Sequence, residues 1–241
     1  MQKMKGMIFA AGLGSRLKPW TDHHPKALAM VNGKTLLQRN IEYLQKNDVD
    51  ELIVNVHHFA DQIVEAIETN KGWGSHITIS DETEEVLETG GGLKKAAWYF
   101  SDTADFVVMN ADILTDMDLT AMITAHQQTQ ALATLAVTER ETSRYFLFDE
   151  EARLSGWRNV KTGEEKIVRD AQPLYQKAFS GIHVINRSML ELIGQEGKFS
   201  MVDVYLSLAK DHIIRAFDHT GTHLIDVGKP ESIEKAEKIF V

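Results

Sequence analysis

The feature that most constrains the fold is a short apolar run near the N-terminus that breaks directly into a glycine-rich turn. Residues 7–10 read MIFA and predict a buried β-strand, and residues 12–16 read GLGSR. Gly12 and Gly14 allow a sharp turn in which the backbone approaches a ligand closely. Successive backbone N–H groups in such a turn form a concave site for an anion. The first predicted strand therefore ends in a turn suited to an anionic ligand.

Two cations accompany this turn. Arg16 carries a forked set of donors suited to phosphate oxygens, and Lys26 places a second cation on the same loop or its far wall. Two standard phosphate motifs do not match, because Leu17 replaces the third glycine of the Rossmann fingerprint and Leu28 replaces the first glycine of a P-loop. Glycines, an arginine and a lysine directly after a first strand predict a binder of a polyphosphate.

Strand-like apolar runs alternate with helical patterns through the first half of the chain. Strands are predicted at residues 52–56, 76–80, 106–109 and 133–137, and helices at 35–47, 61–68, 92–100 and 119–128. This alternation implies right-handed crossovers and a mostly parallel sheet with helices on both faces. We therefore expect an α/β fold, a Rossmann-like three-layer sandwich with a mostly parallel mixed sheet, whose ligands bind at the carboxyl ends of the strands.

The pattern changes after residue 140. Apolar runs at 145–148 and 154–157 flank a polar segment and predict a hairpin. The remaining elements are predicted as a strand at 179–185, a helix at 199–209, a strand at 213–217 and a helix at 230–239. We interpret residues 1–241 as a single domain, with a small β-rich insertion at residues 140–180 on the substrate side.

The composition argues against several classes of protein. A net charge of −9 argues against nucleic-acid binding, which needs a basic face. Cysteine is absent, so neither disulfides nor thiolate metal sites can form. No stretch approaches a membrane span and no signal-peptide core follows the N-terminus, so we expect a cytoplasmic protein without a membrane partner.

Two aspartates follow predicted strands. Asp112 comes shortly after the apolar run at 106–109, and Asp226 ends the run Leu224-Ile225-Asp226. A carboxylate at a strand end projects into the crevice where α/β proteins bind their ligands. Aspartate is also common in turns and helix caps, so position alone leaves both roles open.

The glycine turn belongs to a longer pattern. It reads Ala10-Ala11-Gly12-Leu13-Gly14-Ser15-Arg16-Leu17, followed by Pro19, Thr21 and Pro25-Lys26. This pattern resembles the signature of the sugar-1-phosphate nucleotidylyltransferases. In that family the glycine loop wraps the triphosphate, and the positions of Arg16 and Lys26 contact phosphates. The resemblance implies nucleotide-binding roles for Ala10, Ala11, Gly12, Gly14, Ser15 and Arg16.

The resemblance extends to both aspartates. Asn110-Ala111-Asp112 resembles the G/N-x-D motif of the family, and residues 226–231 (DVGKPE) resemble its D-V/I-G-T-P-E motif. It implies that Asp112 and Asp226 bind Mg²⁺ and that Asn110 contacts the nucleotide. The chemistry agrees, because Mg²⁺ is typically held by one or two carboxylates together with substrate phosphates and waters.

A third segment bears on specificity. Residues 87–92 read LETGGG, which with Asn55 upstream resembles the N-acetylmuramate-1-phosphate uridylyltransferases, whereas mannose-1-phosphate guanylyltransferases more often show LGTAG. The resemblance implies that Asn55, Glu88, Gly90 and Gly91 lie against the nucleotide. Because a uridine base offers two carbonyl acceptors and one N–H, we expect Glu88 and the amides of residues 90–92 to form a slot that reads it. It also implies substrate contacts for Gly181, within a similar FSGI run, and for Arg144, which would meet the sugar phosphate.

Taken together, these patterns predict a Mg²⁺-dependent enzyme that makes an NDP-sugar and pyrophosphate from an NTP and a sugar 1-phosphate. The expected catalytic residues are Arg16, Lys26, Asp112 and Asp226. UTP and N-acetylmuramate 1-phosphate are the expected substrates, which would place the enzyme in nucleotide-sugar biosynthesis for the cell wall. Two alternatives stay open: a mannose-1-phosphate guanylyltransferase, and a catalytically silent regulatory protein that binds a nucleotide sugar.

Overall fold

The structure, a computed structural model, describes residues 3–241. Its strands are β1 (Lys5–Phe9), β2 (Met30–Val31), β3 (Lys34–Thr35), β4 (Glu51–Val56), β5 (His76–Asp81), β6 (Asp105–Asn110), β7 (Ile113–Thr115), β8 (Ala133–Thr138), β9 (Arg144–Phe148), β10 (Leu154–Asn159), β11 (Glu164–Ile167), β12 (Tyr175–Asn186), β13 (Ile214–Asp218) and β14 (Leu224–Asp226). Its α-helices are α1 (Leu36–Gln45), α2 (Ala60–Thr69), α3 (Glu88–Lys95), α4 (Leu119–Thr129), α5 (Met189–Leu192), α6 (Met201–Leu208) and α7 (Pro230–Ile239). Short 3₁₀ turns lie at Ser15–Leu17, Trp20–Asp22, Lys26–Leu28, Lys71–Gly74 and Ala97–Phe100.

The main sheet is built around β1, the strand that precedes the glycine loop. β1 pairs in parallel with β4 and β6, and β5 pairs in parallel with β4. β12 runs antiparallel to both β6 and β8, and β13 is parallel to β8. Strands β8 and β13 therefore point the same way as β1, so most carboxyl ends meet at one edge. The predicted α/β fold with a mostly parallel mixed sheet is confirmed.

Strand β12 joins the main sheet to an antiparallel extension. Its C-terminal part, from Ile182, pairs with β6, whereas residues 175–177 pair with β9. β9 pairs with β10, and β10 with β11. The predicted hairpin thus forms as β9 and β10. A bulge in β12 between Phe179 and His183 marks the junction of the two regions.

Helices cover both faces of the main sheet and make it a three-layer structure. Consecutive β1 residues point to opposite faces, and Met7 and Ile8 are both fully buried. Ile8 packs in the cluster that includes α1, α2 and α4, and Met7 in the cluster that includes α3, α5 and α6. Each large apolar side chain buried in this way stabilises the fold by about 1.5–3 kcal/mol. No helix within residues 3–241 combines the length and apolar character needed to cross a membrane.

Helix α3 begins earlier than the sequence predicts. The expected helix at 92–100 is replaced by α3, which starts at Glu88 and contains all three glycines, and by a separate 3₁₀ turn. Gly90 and Gly91 donate their N–H groups to the Phe199 carbonyl at 2.9 and 3.2 Å, which anchors the first turn of α3. Glycine is a poor helix former, so local propensity assigns this segment to a loop. The predicted bounds are wrong because a distant contact overrides that propensity.

Four short strands have no counterpart in the prediction: β2, β3, β7 and β11. All four side chains of β11 are exposed, so its sequence lacks the alternation that marks a half-buried strand. Strand β7 has only three residues and pairs with β14 outside the main sheet, in register Asp226 to Ile113. This small ribbon matters for the site, because it carries Asp226 to the carboxyl end of β6.

Candidate active site

The glycine loop folds back onto Lys26. Gly14 has a φ of +61°, a left-handed conformation that favours glycine. Its carbonyl accepts hydrogen bonds from the Leu17 N–H at 2.8 Å and from the Thr21 hydroxyl at 3.0 Å. A Cβ at this position would lie 2.9 Å from the Cβ of Lys26. Gly14 is therefore required both by its backbone conformation and by the close approach of the loop to Lys26.

The other loop residues predicted to bind a nucleotide differ in exposure. Ala10 and Ala11 are buried, whereas Gly12, Ser15 and Arg16 are exposed. A Cβ built at Gly12 would meet open space, in contrast to the crowded position of Gly14. The loop therefore has a buried base and an open face on which a ligand can lie.

Two acidic and two basic side chains meet at the carboxyl edge of the sheet. The Val227 N–H donates to the Asp112 carbonyl at 2.8 Å, which holds Asp226 beside Asp112. Lys26 Nζ donates to Asp112 Oδ2 and lies 4.0 Å from Asp226 Oδ1. Arg16 Nη2 lies 3.9 Å from the same Asp226 oxygen. The structure thus brings together the four residues that the sequence analysis selects as catalytic.

Asp226 carries an unsatisfied oxygen. Its Oδ1 is buried and accepts no hydrogen bond from the described residues. Burial raises the pKa of the Asp226 carboxyl, and the charge of Asp112 raises it further, against the attraction of Lys26, Arg16 and Arg140. A buried acceptor without a donor is costly. A cation that enters the site would satisfy this oxygen.

The donor set suits a divalent cation. Mg²⁺ prefers hard oxygen ligands and usually takes one or two carboxylates, with waters and phosphate oxygens completing its shell. Asp112 and Asp226 supply two adjacent carboxylates, one of which has an unpaired oxygen. Within residues 3–241 no group of three or more His, Cys, Asp or Glu side chains could hold a metal. The arrangement therefore fits a metal that is bound jointly with a phosphate ligand.

A buried polar pair braces the glycine loop from the side of β4 and β5. Asn55 Oδ1 accepts the Ala10 N–H at 2.8 Å, and Asn55 Nδ2 donates to Glu82 Oε1 at 2.7 Å. Glu82 is only 1% exposed, and burial raises the pKa of its carboxyl against the opposing hydrogen bond from Asn55. Asn55 lines the cavity described next, but its amide is committed to the protein. Glu82, which the sequence analysis does not select, fixes its orientation.

A cavity of about 310 Å³, here called the glycine-loop cavity, lies between the glycine loop and α3. It is lined by Phe9, Ala11, Gly12, Asn55, Glu82, Val86, Glu88 and Thr89. Glu88 is exposed at its rim, with Oε1 3.8 Å from Lys198 Nζ. Gly90 and Gly91 are not among the lining residues, and their N–H groups are bonded to the Phe199 carbonyl. Contrary to expectation, those amides are not free to read a base.

A smaller cavity of about 180 Å³, the aspartate cavity, lies beside it. Its lining includes Lys26, Asn110 and Asp112, and it shares Phe9 and Gly12 with the glycine-loop cavity. Asn110 therefore faces the aspartate cavity, and its contact with a nucleotide stays a prediction.

Gly181 has a packing role next to this cavity. It has a φ of +76°, and a Cβ there would lie 2.8 Å from Asn110 Nδ2. Gly181 lets the bulge of β12 pack on the end of β6, and it does not line the aspartate cavity. Its predicted substrate contact stays a prediction.

A third cavity of about 600 Å³, the arginine cavity, has Asp226 in its wall. It is lined by Arg16, Arg140, Thr142, Ser143, Arg144, Tyr145, Phe146, Trp157, Phe179, Val202 and Asp226. Arg144, predicted to contact the substrate, lies here and is exposed. Arg140 was not predicted; its Nη2 donates to the Phe179 carbonyl at 3.0 Å, and its Nε is buried without a partner.

The rule that located Asp112 also applies to the two residues that were missed. Glu82 directly follows β5, and Arg140 comes two residues after β8. Both strands run parallel to β1, so both residues lie at the edge where ligands of α/β proteins bind. A search for polar residues after each predicted strand would have found them.

Comparison with known proteins agrees with this geometry. The chain is 29% identical over 238 residues to N-acetylmuramate alpha-1-phosphate uridylyltransferase of Caulobacter vibrioides, which covers 96% of this chain and 94% of that protein. It is 28% identical over 235 residues to mannose-1-phosphate guanyltransferase of Yarrowia lipolytica, covering 95% of this chain and 61% of that protein. HddC of Yersinia pseudotuberculosis, solved in complex with GMP-PN, shares the fold at a TM-score of 0.77 and 23% identity, over 99% of this chain and 100% of that one.

A family model provides the assignment. The model described as Nucleotidyl transferase matches residues 5–240, a span that runs from β1 to α7. This span includes the glycine loop, both aspartates and the strand that joins the two sheets. The chain belongs to the nucleotidyl transferase family.

Proposed function

We propose that the protein transfers a nucleotidyl group from an NTP to a sugar 1-phosphate. A phosphate oxygen of the sugar 1-phosphate attacks the α-phosphorus, a new P–O bond forms, and the bond to the β-phosphate oxygen breaks to release pyrophosphate. The observation that carries the proposal is the group of Lys26, Asp112, Asp226 and Arg16. Lys26 and Asp112 line the aspartate cavity, which shares Phe9 and Gly12 with the glycine-loop cavity, and Arg16 and Asp226 line the arginine cavity. A nucleotide in the glycine-loop cavity and a sugar phosphate in the arginine cavity would meet at this group.

The side chains would act mainly by position and charge. The amides of residues 12–15 and the Arg16 guanidinium would hold the β- and γ-phosphates, and Lys26 would stabilise the charge that grows at the α-phosphate. Bringing two anions into contact is itself a large part of the barrier, so orientation contributes strongly. Asp112 and Asp226 would hold Mg²⁺, which when bound neutralises phosphate charge. Dependence on Mg²⁺ is part of the proposal.

The proposed substrates are UTP and N-acetylmuramate 1-phosphate. Support comes from the LETGGG segment and from the uridylyltransferase of Caulobacter vibrioides, which aligns over almost its whole length. Because the amides of Gly90 and Gly91 are occupied, the base would be read by Glu88, Thr89 and the loop backbone. A single domain with its β-rich segment toward the sugar, in the cytoplasm where NTPs are held, completes the proposal.

A guanylyltransferase is the second candidate. Mannose-1-phosphate guanyltransferase of Yarrowia lipolytica is nearly as similar, and an exposed carboxylate such as Glu88 accepts hydrogen bonds from guanine as well. A silent regulatory protein is less well supported, because both aspartates and both cations are retained in contact.

The test is a matrix of the four NTPs against the 1-phosphates of N-acetylmuramate, glucosamine, glucose and mannose. Pyrophosphate release is followed with Mg²⁺ and with EDTA. We expect release only with Mg²⁺ and a preference for UTP of roughly 10²-fold, since a mismatched base leaves polar groups unpaired. A preference for GTP with mannose 1-phosphate would replace the uridylyl assignment. No release in any combination would favour the regulatory protein.

A further inference from the structure

The arginine cavity holds more positive charge than a single phosphate acceptor requires. Three guanidinium groups and one carboxylate line it. Under the proposed function, Arg16 is engaged by the triphosphate and Asp226 by the metal. Arg140 and Arg144 are then left for the acceptor, and a sugar 1-phosphate supplies only one phosphate for two arginines.

These two arginines differ from their neighbours in the hairpin region. Arg153, Arg158 and Arg169 each form an ion pair, with Glu151, Glu165 and Asp149. Within residues 3–241, Arg140 and Arg144 pair with no carboxylate. Among the arginines of residues 140–180, those without an ion pair are therefore the two that line the cavity.

Arg140 is held in place by one hydrogen bond and keeps one N–H donor without a partner. Its Nη2 bonds to the Phe179 carbonyl at 3.0 Å, and its Nε is buried without a partner. Phe179 immediately precedes the bulge that packs on Asn110, so Arg140 is tied to the side of the cavity nearest the two aspartates. A charged donor in this state favours an anionic ligand, because a buried donor without an acceptor is costly.

Arg144 lies four residues further on and is exposed. The preceding turn is ordered by the Thr142 N–H, which donates to the Tyr145 hydroxyl at 3.0 Å. Trp157 and Phe179 line the same cavity and offer apolar surface to a sugar ring. A ring that lies against these aromatic side chains would present one substituent toward Arg140 and another toward Arg144.

We propose that the acceptor is a sugar 1-phosphate that carries a second anionic group, with Arg140 binding the 1-phosphate and Arg144 binding the second group. The inference rests on the proposed nucleotidyl transfer and adds a subsite to it. The second group is a carboxylate or a phosphate ester, both of which match the fork of an arginine. N-acetylmuramate 1-phosphate, whose ring carries a carboxylate-bearing ether, meets this requirement.

Two matched pairs of acceptors test the subsite. N-acetylmuramate 1-phosphate and N-acetylglucosamine 1-phosphate differ only in the carboxylate-bearing ether, and glucose 1,6-bisphosphate and glucose 1-phosphate differ only in a phosphate. For each pair, kcat/KM in transfer and Kd by calorimetry give the preference for the doubly anionic member. The proteins compared are wild type, Arg144→Gln, Arg144→Lys, Arg140→Gln and a control, Arg158→Gln, whose arginine pairs with Glu165 outside the cavity.

We expect the wild type to prefer the doubly anionic member of at least one pair. Arg144→Gln should lower that preference about 10- to 100-fold, the range for a charged hydrogen-bonded contact, and Arg144→Lys should lower it less. Arg140→Gln should weaken both members of a pair alike, and Arg158→Gln should match wild type. The pair that responds identifies the second group as a carboxylate or a phosphate.

Two results would overturn the subsite: no preference within either pair, or a preference that Arg144→Gln leaves intact. Failure of the proposed function looks different. If transfer fails with every acceptor while calorimetry shows a preference that depends on Arg144, the subsite stands and the enzymatic proposal falls. If transfer proceeds equally well with both members of each pair, the enzymatic proposal stands and the subsite falls.

Discussion

The two sides of the candidate active site are built in different ways. On the side assigned to the nucleotide, backbone and small residues are fixed by close contacts. Gly14 is turned onto Lys26, and Asn55 is locked between the Ala10 amide and Glu82. Interiors packed this closely tolerate little change in shape. A substitution here should disturb the nucleotide equally with every acceptor.

On the acceptor side, the arginine cavity is lined by long side chains from the hairpin region, among them Arg140, Arg144 and Trp157. Arg144 is exposed, and no strand depends on its length or charge. Its replacement can alter the cavity without moving the backbone. The two sides should therefore respond differently to substitution. Changes on the nucleotide side should lower the rate, and changes on the acceptor side should alter the preference among acceptors.

The largest effect is expected where the two sides meet, at Asp226. Asp226→Asn should lower kcat roughly 10²-fold or more with every acceptor, because under the proposed function it removes one of the two carboxylates that would hold Mg²⁺ against the phosphates. Its thermal unfolding temperature should not fall, since the substitution neutralises a buried oxygen that has no hydrogen-bond partner. Pyrophosphate release and calorimetric unfolding are the measurements. A loss confined to one acceptor would break the proposed division between the two sides.

Substitutions at two glycines on the nucleotide side can distinguish an effect on packing from an effect on ligand access. Gly91→Ala should destabilise the protein by about 1–3 kcal/mol, because the new Cβ would lie 2.3 Å from the Gly197 carbonyl oxygen. This steric clash outweighs the gain of about 1 kcal/mol that alanine brings to a helix. Gly12→Ala, in open space, should change stability by less than about 0.5 kcal/mol yet raise the KM for NTP. Denaturant unfolding and initial rates measure both. Equal destabilisation by the two substitutions would contradict the assignment of Gly12 to ligand approach.

Arg16 tests which side its guanidinium serves, because it lines the arginine cavity and also approaches Asp226. Arg16→Ala should raise the KM for NTP about 10-fold and alter the KM for the sugar phosphate much less, in line with the loss of one charged hydrogen bond. Lys26→Ala should instead act mainly on kcat. Steady-state kinetics with each substrate varied in turn decides the matter. A larger change in the KM for the sugar phosphate would move Arg16 to the acceptor side.

The smallest expected effect is the pH dependence of stability that comes from His183. His183 lies in β12, fully buried, and bonds to the Tyr205 hydroxyl. Burial lowers the pKa of His183 to about 3, whereas in the unfolded chain it is about 6.5. As the pH falls, His183 therefore takes up a proton in the unfolded chain before it does so in the folded protein. Its contribution to the free energy of unfolding is complete above pH 6.5 and is lost as the pH falls toward 3.

This group alone should remove about 1 kcal/mol of stability between pH 7 and pH 5.5. His183→Gln lacks the titration, so its stability should decline less over this range, whatever its value at pH 7. Urea unfolding at several pH values measures the difference in slope. Parallel curves for the two proteins would show that His183 does not titrate as its burial requires.

The parts of the site that depend on local sequence could be predicted, and those that depend on distant partners could not. The glycine loop, Asp112 and Asp226 follow strands, and strand ends are visible in the sequence. The hydrogen bond of the Gly90 N–H depends on the carbonyl of Phe199, more than a hundred residues away in the sequence. The surplus charge of Arg140 becomes evident only once the neighbouring arginines are seen to be paired.

Strand β12 has a consequence for how this family diversifies. It changes partners along its length: residues 175–177 pair with β9, while the segment from Ile182 onward stays in register with β6. The turn between β9 and β10 also contacts the main sheet, because the Ala216 N–H in β13 donates to the Ala152 carbonyl at 2.9 Å. Insertions or replacements in the hairpin need not propagate across the bulge. Under the proposed function, acceptor choice could therefore evolve separately from nucleotide chemistry, and exchanging residues 140–180 between relatives should transfer it as one heritable unit.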